Sequence, residues 1–130
     1  MVIDTSALLA ILNKEPESGS MAAAIEVDGV LLISAATVVE TGIVIESRYG
    51  ITGSMDLDLL MHTIRVQIEP VTEEQARVAR AAYRKYGKGH HQAALNYGDC
   101  FSYALAKTSR QPLLFKGGDF SQTDVPIASY

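Results

Sequence analysis

The sequence predicts an α/β domain with a mainly parallel central sheet of about four or five strands flanked by helices. Short apolar runs alternate along the chain with longer stretches of helical periodicity, as is typical of parallel sheets with crossover helices. The run from Val30 to Ile33 has no polar alternation, as expected for a strand that is buried on both faces. The 130 residues, 48% of them hydrophobic, suffice for one core and are too few for two domains. We therefore predict a single domain over residues 1–130.

Capping residues and glycines set the ends of the predicted helices in the first half of the chain. Thr5 or Ser6 caps the first helix, and Ser34 caps a long helix that Gly50 stops. Gly53 and Ser54 open another helix. In order, the predicted elements are a strand at Met1 to Asp4, helices at Ala7 to Leu12 and Met21 to Val27, a strand at Val30 to Ile33, and helices at Ala36 to Tyr49 and Met55 to Ile64.

The second half continues the same alternation. Thr72 and Gln75 predict a capping box at the start of a helix that ends at Gly87. Its predicted buried stripe comprises Ala76, Ala79, Tyr83 and Tyr86. In order, the predicted elements are a strand at Val66 to Glu69, this helix, a basic loop, a helix that begins near Asp99, a strand at Pro112 to Phe115, and an edge strand at Val125 to Ala128 whose pairing Pro126 limits.

Cysteine count and hydropathy exclude several classes of protein. Cys100 is the only cysteine, which excludes an internal disulfide framework and a multi-cysteine zinc site and fits a reducing cytoplasm. Asp4 interrupts the first apolar residues, so no signal peptide is expected. The most apolar run, Val30 to Ile45, is too short for a membrane span and contains Glu40. We predict a cytoplasmic protein with no membrane partner.

The charge distribution is uneven although the net charge is −4. An acidic chain is not an obvious nucleic-acid binder, but residues 75–98 contain no Asp or Glu. This window holds five Lys and Arg residues, Arg77, Arg80, Arg84, Lys85 and Lys88, together with His90 and His91. It is either a phosphate-binding face or a solvated helix face. Tyr86 and Tyr97 are candidates for stacking on a base.

Four acids follow a pattern that points to a metal site. Asp4 ends the first predicted strand, Glu40 lies amid apolar residues on the helix after the second, and Asp119 follows the fourth. Asp99 begins a helix, where an aspartate alone would be an ordinary helix-start residue. Ligands of parallel sheets bind beyond the carboxyl ends of the strands. Carboxylates gathered there repel one another unless a cation such as Mg²⁺ or Mn²⁺ binds them.

The segments around these acids resemble a family. Val2 to Leu8, Glu40, Asn96 to Cys100 and Leu113 to Phe120 together are similar to PIN domains, and more narrowly to the VapC toxins of bacterial VapBC toxin–antitoxin pairs. The resemblance spans the whole chain. It implies a Mg²⁺-dependent or Mn²⁺-dependent endoribonuclease whose acidic pocket is Asp4, Glu40, Asp99 and Asp119, with Asp4 and Asp99 as the first candidates for direct metal ligands. Asp124 lies close to Asp119 in sequence and is the alternative fourth acid.

The resemblance also implies partners. VapC-like toxins are usually homodimers that a VapB-type antitoxin holds inactive. The apolar helix Ala7 to Leu12 and the residues Met21, Met55, Leu59 and Met61 are candidates for such contacts or for the domain's own core. The predicted contacts to an RNA substrate are Thr5, Ser6, Arg84, Lys88, Asn96 and Lys116.

Two rival functions remain at this stage. A phosphoryl-receiving domain is also a small α/β domain, but it needs paired acids after the first strand, and only Asp4 stands there. A PIN-like module that binds RNA or protein without cutting predicts the loss of pocket acids, and all four are present.

Overall fold

The computed structural model describes residues 1–130 and contains one four-stranded parallel sheet. Its strands are β1 (Val2–Ile3), β2 (Leu32–Ser34), β3 (Gln67–Glu69) and β4 (Leu113–Leu114), in the order β3-β2-β1-β4. The helices are α1 (Thr5–Leu12), α2 (Ser18–Val27), α3 (Ala35–Thr63), α4 (Glu73–Tyr86) and α5 (Tyr97–Ser109), with a 3₁₀ turn at Phe120–Gln122. The predicted fold class is confirmed. None of these helices is long and apolar enough to cross a membrane.

Successive residues of β1, β2 and β4 enter cores on opposite faces of the sheet, whereas β3 is largely exposed. Val2, Leu32 and Leu113 belong to the cluster formed with α4 and α5. Ile3, Ile33 and Leu114 belong to the cluster formed with α1, α2 and the second half of α3. This is the two-residue period of a strand that is buried on both faces, and it explains the apolar runs without alternation.

Four details differ from the prediction. Asp4, not Thr5 or Ser6, is the N-cap of α1, because its carboxylate accepts the Ser6 N–H. Tyr83 is exposed, and Ala82 is buried in its place. Tyr86 is buried, so its ring has no free face for a base. The segment Val125 to Ala128 forms only a single bridge, between Ile127 and Leu113, and not a strand.

A kink at Gly50 divides α3. Gly50 has φ of +63° and ψ of −155°, while helical backbone continues on both sides. The predicted stop at Gly50 is therefore a bend, and helical structure resumes directly after it, before Gly53. The bend lets the second half of α3 pack on α1 and on the face of the sheet that α1 and α2 cover. Leu57 is buried there.

Gly50→Ala is expected to destabilise the protein by about 1–3 kcal/mol, because this region of backbone space is essentially restricted to glycine. Urea unfolding measures the change. Gly42→Ala is the matched control, since Gly42 is helical and an added Cβ meets nothing within 4 Å there. It should be neutral or stabilise by up to about 1 kcal/mol. Equal effects of the two substitutions would contradict the assigned backbone strain.

Candidate active site

Asp4 occupies the carboxyl end of β1 and is only 3% exposed. One carboxylate oxygen accepts the Ser6 backbone N–H at 2.9 Å and the Ser6 hydroxyl at 2.6 Å. The Ser6 Oγ in turn accepts the backbone N–H of Lys116 at 2.9 Å, just beyond β4. Neighbouring strands β1 and β4 thus hold one Asp4 oxygen in place through Ser6.

Glu40 reaches the same edge of the sheet from the first half of α3. The Thr5 hydroxyl donates to Glu40 Oε2 at 2.9 Å, and the Thr41 hydroxyl donates to Thr5 Oγ1 at 3.1 Å. Burial raises the pKa of Glu40; the Thr5 hydrogen bond opposes this, and the negative charge of Asp4 adds to the increase. The sequence does not reveal the role of Thr41, because a buried threonine within an apolar helix resembles ordinary core packing.

Asp99 lies in the first turn of α5 and completes a capping box. Its carboxylate accepts the Asn96 N–H at 2.8 Å, while its own N–H donates to the Asn96 side chain at 3.0 Å. The pKa of Asp99 is raised to about 6, mainly by burial; the charges of Asp4, Glu40 and Asp119 contribute to the increase, and the Asn96 N–H opposes it. Asp99 is therefore both the predicted helix-start residue and a member of an acidic cluster.

Gly98 allows α3 and α5 to approach each other at this cluster. A Cβ built on Gly98 would lie 2.3 Å from both carboxylate oxygens of Glu40, well inside van der Waals contact. The Glu40 carboxylate therefore rests against the backbone of the turn that carries Asp99. In the sequence, the one indication of this role is that Gly98 directly precedes Asp99.

Asp119 and Asp124 have different surroundings. Asp119 is exposed just before the 3₁₀ turn and contributes to the raised pKa of Asp99. Asp124 accepts the Tyr103 hydroxyl and pairs with Lys107, and these contacts, with the Tyr103 hydrogen bond foremost, lower its pKa. The structure thus associates Asp119 with the cluster and gives Asp124 a structural role.

The carboxylates and hydroxyls of the site are suitable ligands for a hard divalent cation, although they do not surround a common point. Carboxylates and hydroxyls are the ligands that Mg²⁺ and Mn²⁺ prefer. Burial is the main cause of the raised pKa values of Glu40 and Asp99, neighbouring carboxylates add to both, and no cationic side chain contributes to either. As the side chains stand, no three His, Cys, Asp or Glu residues are arranged to hold a metal ion. A cation would therefore bind with some reorientation of the carboxylates.

The predicted substrate contacts fall into two groups. Thr5, Ser6 and Asn96 hydrogen-bond the acids, and the Lys116 ammonium pairs with Glu15 and Glu17 instead of facing the cluster. Arg84 and Lys88 are exposed, and their side chains form no ion pair. Of the predicted substrate contacts, the cationic side chains without an ion pair therefore lie on α4 and in the loop that follows it.

Sequence comparisons match almost the whole chain. The PIN domain family model matches residues 1–126. Ribonuclease VapC30 of Mycobacterium tuberculosis is 57% identical over 125 residues, which are 96% of this chain and 95% of that protein. Ribonuclease VapC of Mycolicibacterium smegmatis is 58% identical over 125 residues, covering 96% of this chain and 97% of that protein.

Solved structures share the fold at low sequence identity. The structure of Mycobacterium tuberculosis VapC20, a toxin that cleaves the sarcin–ricin loop, has a TM-score of 0.77 and 20% identity, covering 95% of each chain. A toxin–antitoxin complex from Klebsiella pneumoniae has a TM-score of 0.73 and 18% identity, covering 99% of this chain and 97% of that chain.

Proposed function

This chain belongs to the PIN domain family as a VapC-type ribonuclease toxin, and we propose that it cuts RNA with a Mg²⁺ or Mn²⁺ ion held by Asp4, Glu40, Asp99 and Asp119. Its high-identity relatives are ribonucleases, which supports RNA phosphodiester hydrolysis as the reaction. The metal dependence and the roles of the four acids are our proposal.

The observation that carries this proposal is the gathering of the acids at one edge of the sheet, where the Glu40 carboxylate lies against the turn that carries Asp99. Burial is the main cause of the raised pKa of Asp99, and the charges of Asp4, Glu40 and Asp119 add to the increase. A protein with no use for such a cluster would disperse or pair these charges, as it does for Asp124. Uncompensated carboxylates at the open edge of a parallel sheet favour a cation site.

A bound divalent ion would neutralise this cluster and stabilise the negative charge that develops on a phosphodiester during hydrolysis. The chain's own hydroxyls have a different task. Ser6 and Thr5 each donate a hydrogen bond to an acid, which restricts Asp4 and Glu40 to one orientation. Hydrolysis adds hydroxide to phosphorus and a proton to the leaving oxygen. We assign acceptance of the attacking water's proton to a carboxylate of the pocket, and a solvent water supplies the proton to the leaving oxygen.

Substrate attraction is assigned to the face of α4 and the loop that follows it. Residues 75–98 contain no acid, and the exposed cations Arg84 and Lys88 lack ion pairs within the chain. RNA phosphates can therefore approach the acidic cluster from this side. Contact of Lys116 with RNA would require its release from Glu15 and Glu17.

A VapB-type antitoxin and a second copy of the chain are the proposed protein partners. Structural neighbours include toxin–antitoxin complexes, which supports an antitoxin. Exposed apolar residues recur every four positions along α3, at Ile51, Met55 and Leu59 after the kink and at Val39 and Ile43 before it. Two unpartnered stripes are thus available for these contacts. Met21 is buried in the core and is not available.

Removal of divalent metal is expected to abolish RNA cleavage. The purified chain, freed of antitoxin, is incubated with total RNA in Mg²⁺, in Mn²⁺ and in EDTA, with Asp99→Asn as the control. Discrete fragments that require metal and are absent with the variant would support the proposal. Cleavage in EDTA, or by the variant, would contradict it. Intact RNA binding without cleavage in any metal would instead indicate a non-catalytic PIN-like binding module.

A further inference from the structure

A groove of about 800 Å³ lies between α4 and α5, separate from the acidic cluster. Its floor is made of small or buried side chains, Ala76 and Ala79 of α4 and Cys100 of α5. The volume is in the range of pockets that bind small organic groups. Because the floor is apolar and the side chains are short, a flat ring can enter between the two helices.

Aromatic side chains form the walls of this groove. Tyr97 is 80% exposed and meets Phe101 edge to face, with ring centroids 4.9 Å apart. Tyr83, 46% exposed, stands opposite on α4 and meets His90 edge to face at 5.7 Å. The edge-to-face neighbours hold each ring in place, and the exposed fractions leave part of each tyrosine accessible. The walls are therefore suited to stacking on a planar ligand.

The rim of the groove is cationic. Arg80 and Arg84 line it on the α4 side, and neither forms an ion pair within the chain. No Asp or Glu lines the groove. Arg77, one turn before Arg80 on α4, does form an ion pair, with Glu73 at 2.5 Å. Two unpaired guanidinium groups beside an aromatic slot favour a ligand that combines a planar ring with negative charge.

The groove and the acidic cluster share the first turn of α5. Tyr97 forms a wall of the groove, Gly98 contacts Glu40, and Asp99 belongs to the cluster. Tyr97 and Cys100, which line the groove, lie on either side of Asp99 in the chain, so the two sites are neighbours on one turn of helix. A polynucleotide can therefore place a phosphate at the acids and a nearby base in the groove.

We propose that this groove binds an unpaired nucleobase of the RNA substrate close to the cut, with Tyr97 stacking on the base and Arg80 and Arg84 contacting the flanking phosphates. This inference rests on the proposed function, because it assigns the groove to the same substrate. A base within a duplex cannot enter the groove, so the proposed contact is confined to unpaired nucleotides.

The test measures RNA affinity apart from cleavage. A short fluorescent RNA of mixed sequence, single-stranded or annealed to its complement, is titrated in EDTA with the wild type, Tyr97→Ala and Tyr97→Phe. Tyr97→Ala is expected to weaken single-strand binding about five- to hundredfold, with little effect on the duplex. Tyr97→Phe keeps the stacking face and should bind within about twofold of the wild type. Tyr49→Ala, an exposed tyrosine on α3, is the matched control and should have no effect.

Unchanged single-strand affinity in Tyr97→Ala, with a folded circular dichroism spectrum, would overturn the proposal. If that variant instead lost its dimer in size-exclusion chromatography, or no longer retained a co-expressed antitoxin, the groove would be a protein contact and the proposal would be wrong. Cleavage of total RNA by the wild type is assayed separately with Mg²⁺. A chain that binds RNA through Tyr97 but cannot cut it would refute the nuclease proposal and leave the groove assignment in place.

Discussion

Asp99→Asn is expected to lower the kcat/KM of RNA cleavage at least about a hundredfold, equivalent to about 2.7 kcal/mol of transition-state stabilisation. The substitution removes one negative charge from the proposed metal site. Asparagine can still accept the Asn96 N–H, so the N-terminus of α5 keeps its cap. The loss of activity should therefore occur in a folded protein, measured with metal on total RNA or on its mapped target.

The same substitution is expected to stabilise the metal-free protein. Because folding raises the pKa of Asp99 to about 6 from 3.8, ionisation of this carboxyl opposes folding at every pH above about 6. The penalty is complete above about pH 6 and fades as the pH falls toward 3.8, below which the carboxyl becomes protonated in both states. In EDTA, Asp99→Asn should thus melt at a higher temperature than the wild type at pH 7.5, and the difference should shrink by pH 4.5.

Asp124→Asn provides the matched control for both measurements. Asp124 is an aspartate after β4 and outside the cluster, and its contacts with Tyr103 and Lys107 lower its pKa. The variant should keep its cleavage activity and be less stable than the wild type at neutral pH, the opposite sign to Asp99→Asn. If Asp124→Asn lost cleavage and Asp99→Asn retained it, Asp124 and not Asp99 would belong to the catalytic site.

Gly98→Ala is expected to lower RNA cleavage about ten- to hundredfold with little change in stability. The new Cβ would overlap both carboxylate oxygens of Glu40, and the flexible end of that side chain can move away more easily than the backbone. Displacement of a catalytic carboxylate by about 1 Å can reduce a rate about a hundredfold. Alanine also favours the helix over glycine, by up to about 1 kcal/mol, which offsets the local strain.

A double-mutant cycle tests whether Gly98→Ala lowers cleavage by displacing Glu40. On a Glu40→Gln background, which is already impaired, Gly98→Ala should reduce cleavage little further, because the two changes act on the same carboxylate. Gly42→Ala should leave activity within about twofold, since nothing lies near its added Cβ. Full activity in Gly98→Ala would mean that the close approach of Glu40 to α5 has no catalytic importance.

Local sequence signals account for the strands and for one helix start, but not for the buried face of α4. The strands were predictable because Val2, Ile3, Ile33 and Leu114 lie in apolar runs too short for anything else. The helix start at Thr72 was predictable because its cap is local, with Thr72 Oγ1 accepting the Gln75 N–H. Tyr83 was predicted as buried because its spacing fits the α4 stripe equally well, and only packing against α5 selected Ala82 instead.

The sequence by itself predicted the fold class, the family and three acids of the proposed site, and it left Asp119 and Asp124 as alternatives for the fourth. Apolar periodicity and the residue that follows a strand are local properties, and parallel pairing brings the strand ends to one edge. Only the tertiary structure decided which late aspartate joins the cluster, that Glu15 and Glu17 engage Lys116, and that Gly98 receives Glu40. These outcomes depend on distances between side chains remote in sequence, and electrostatic energies and van der Waals overlap change steeply with such distances.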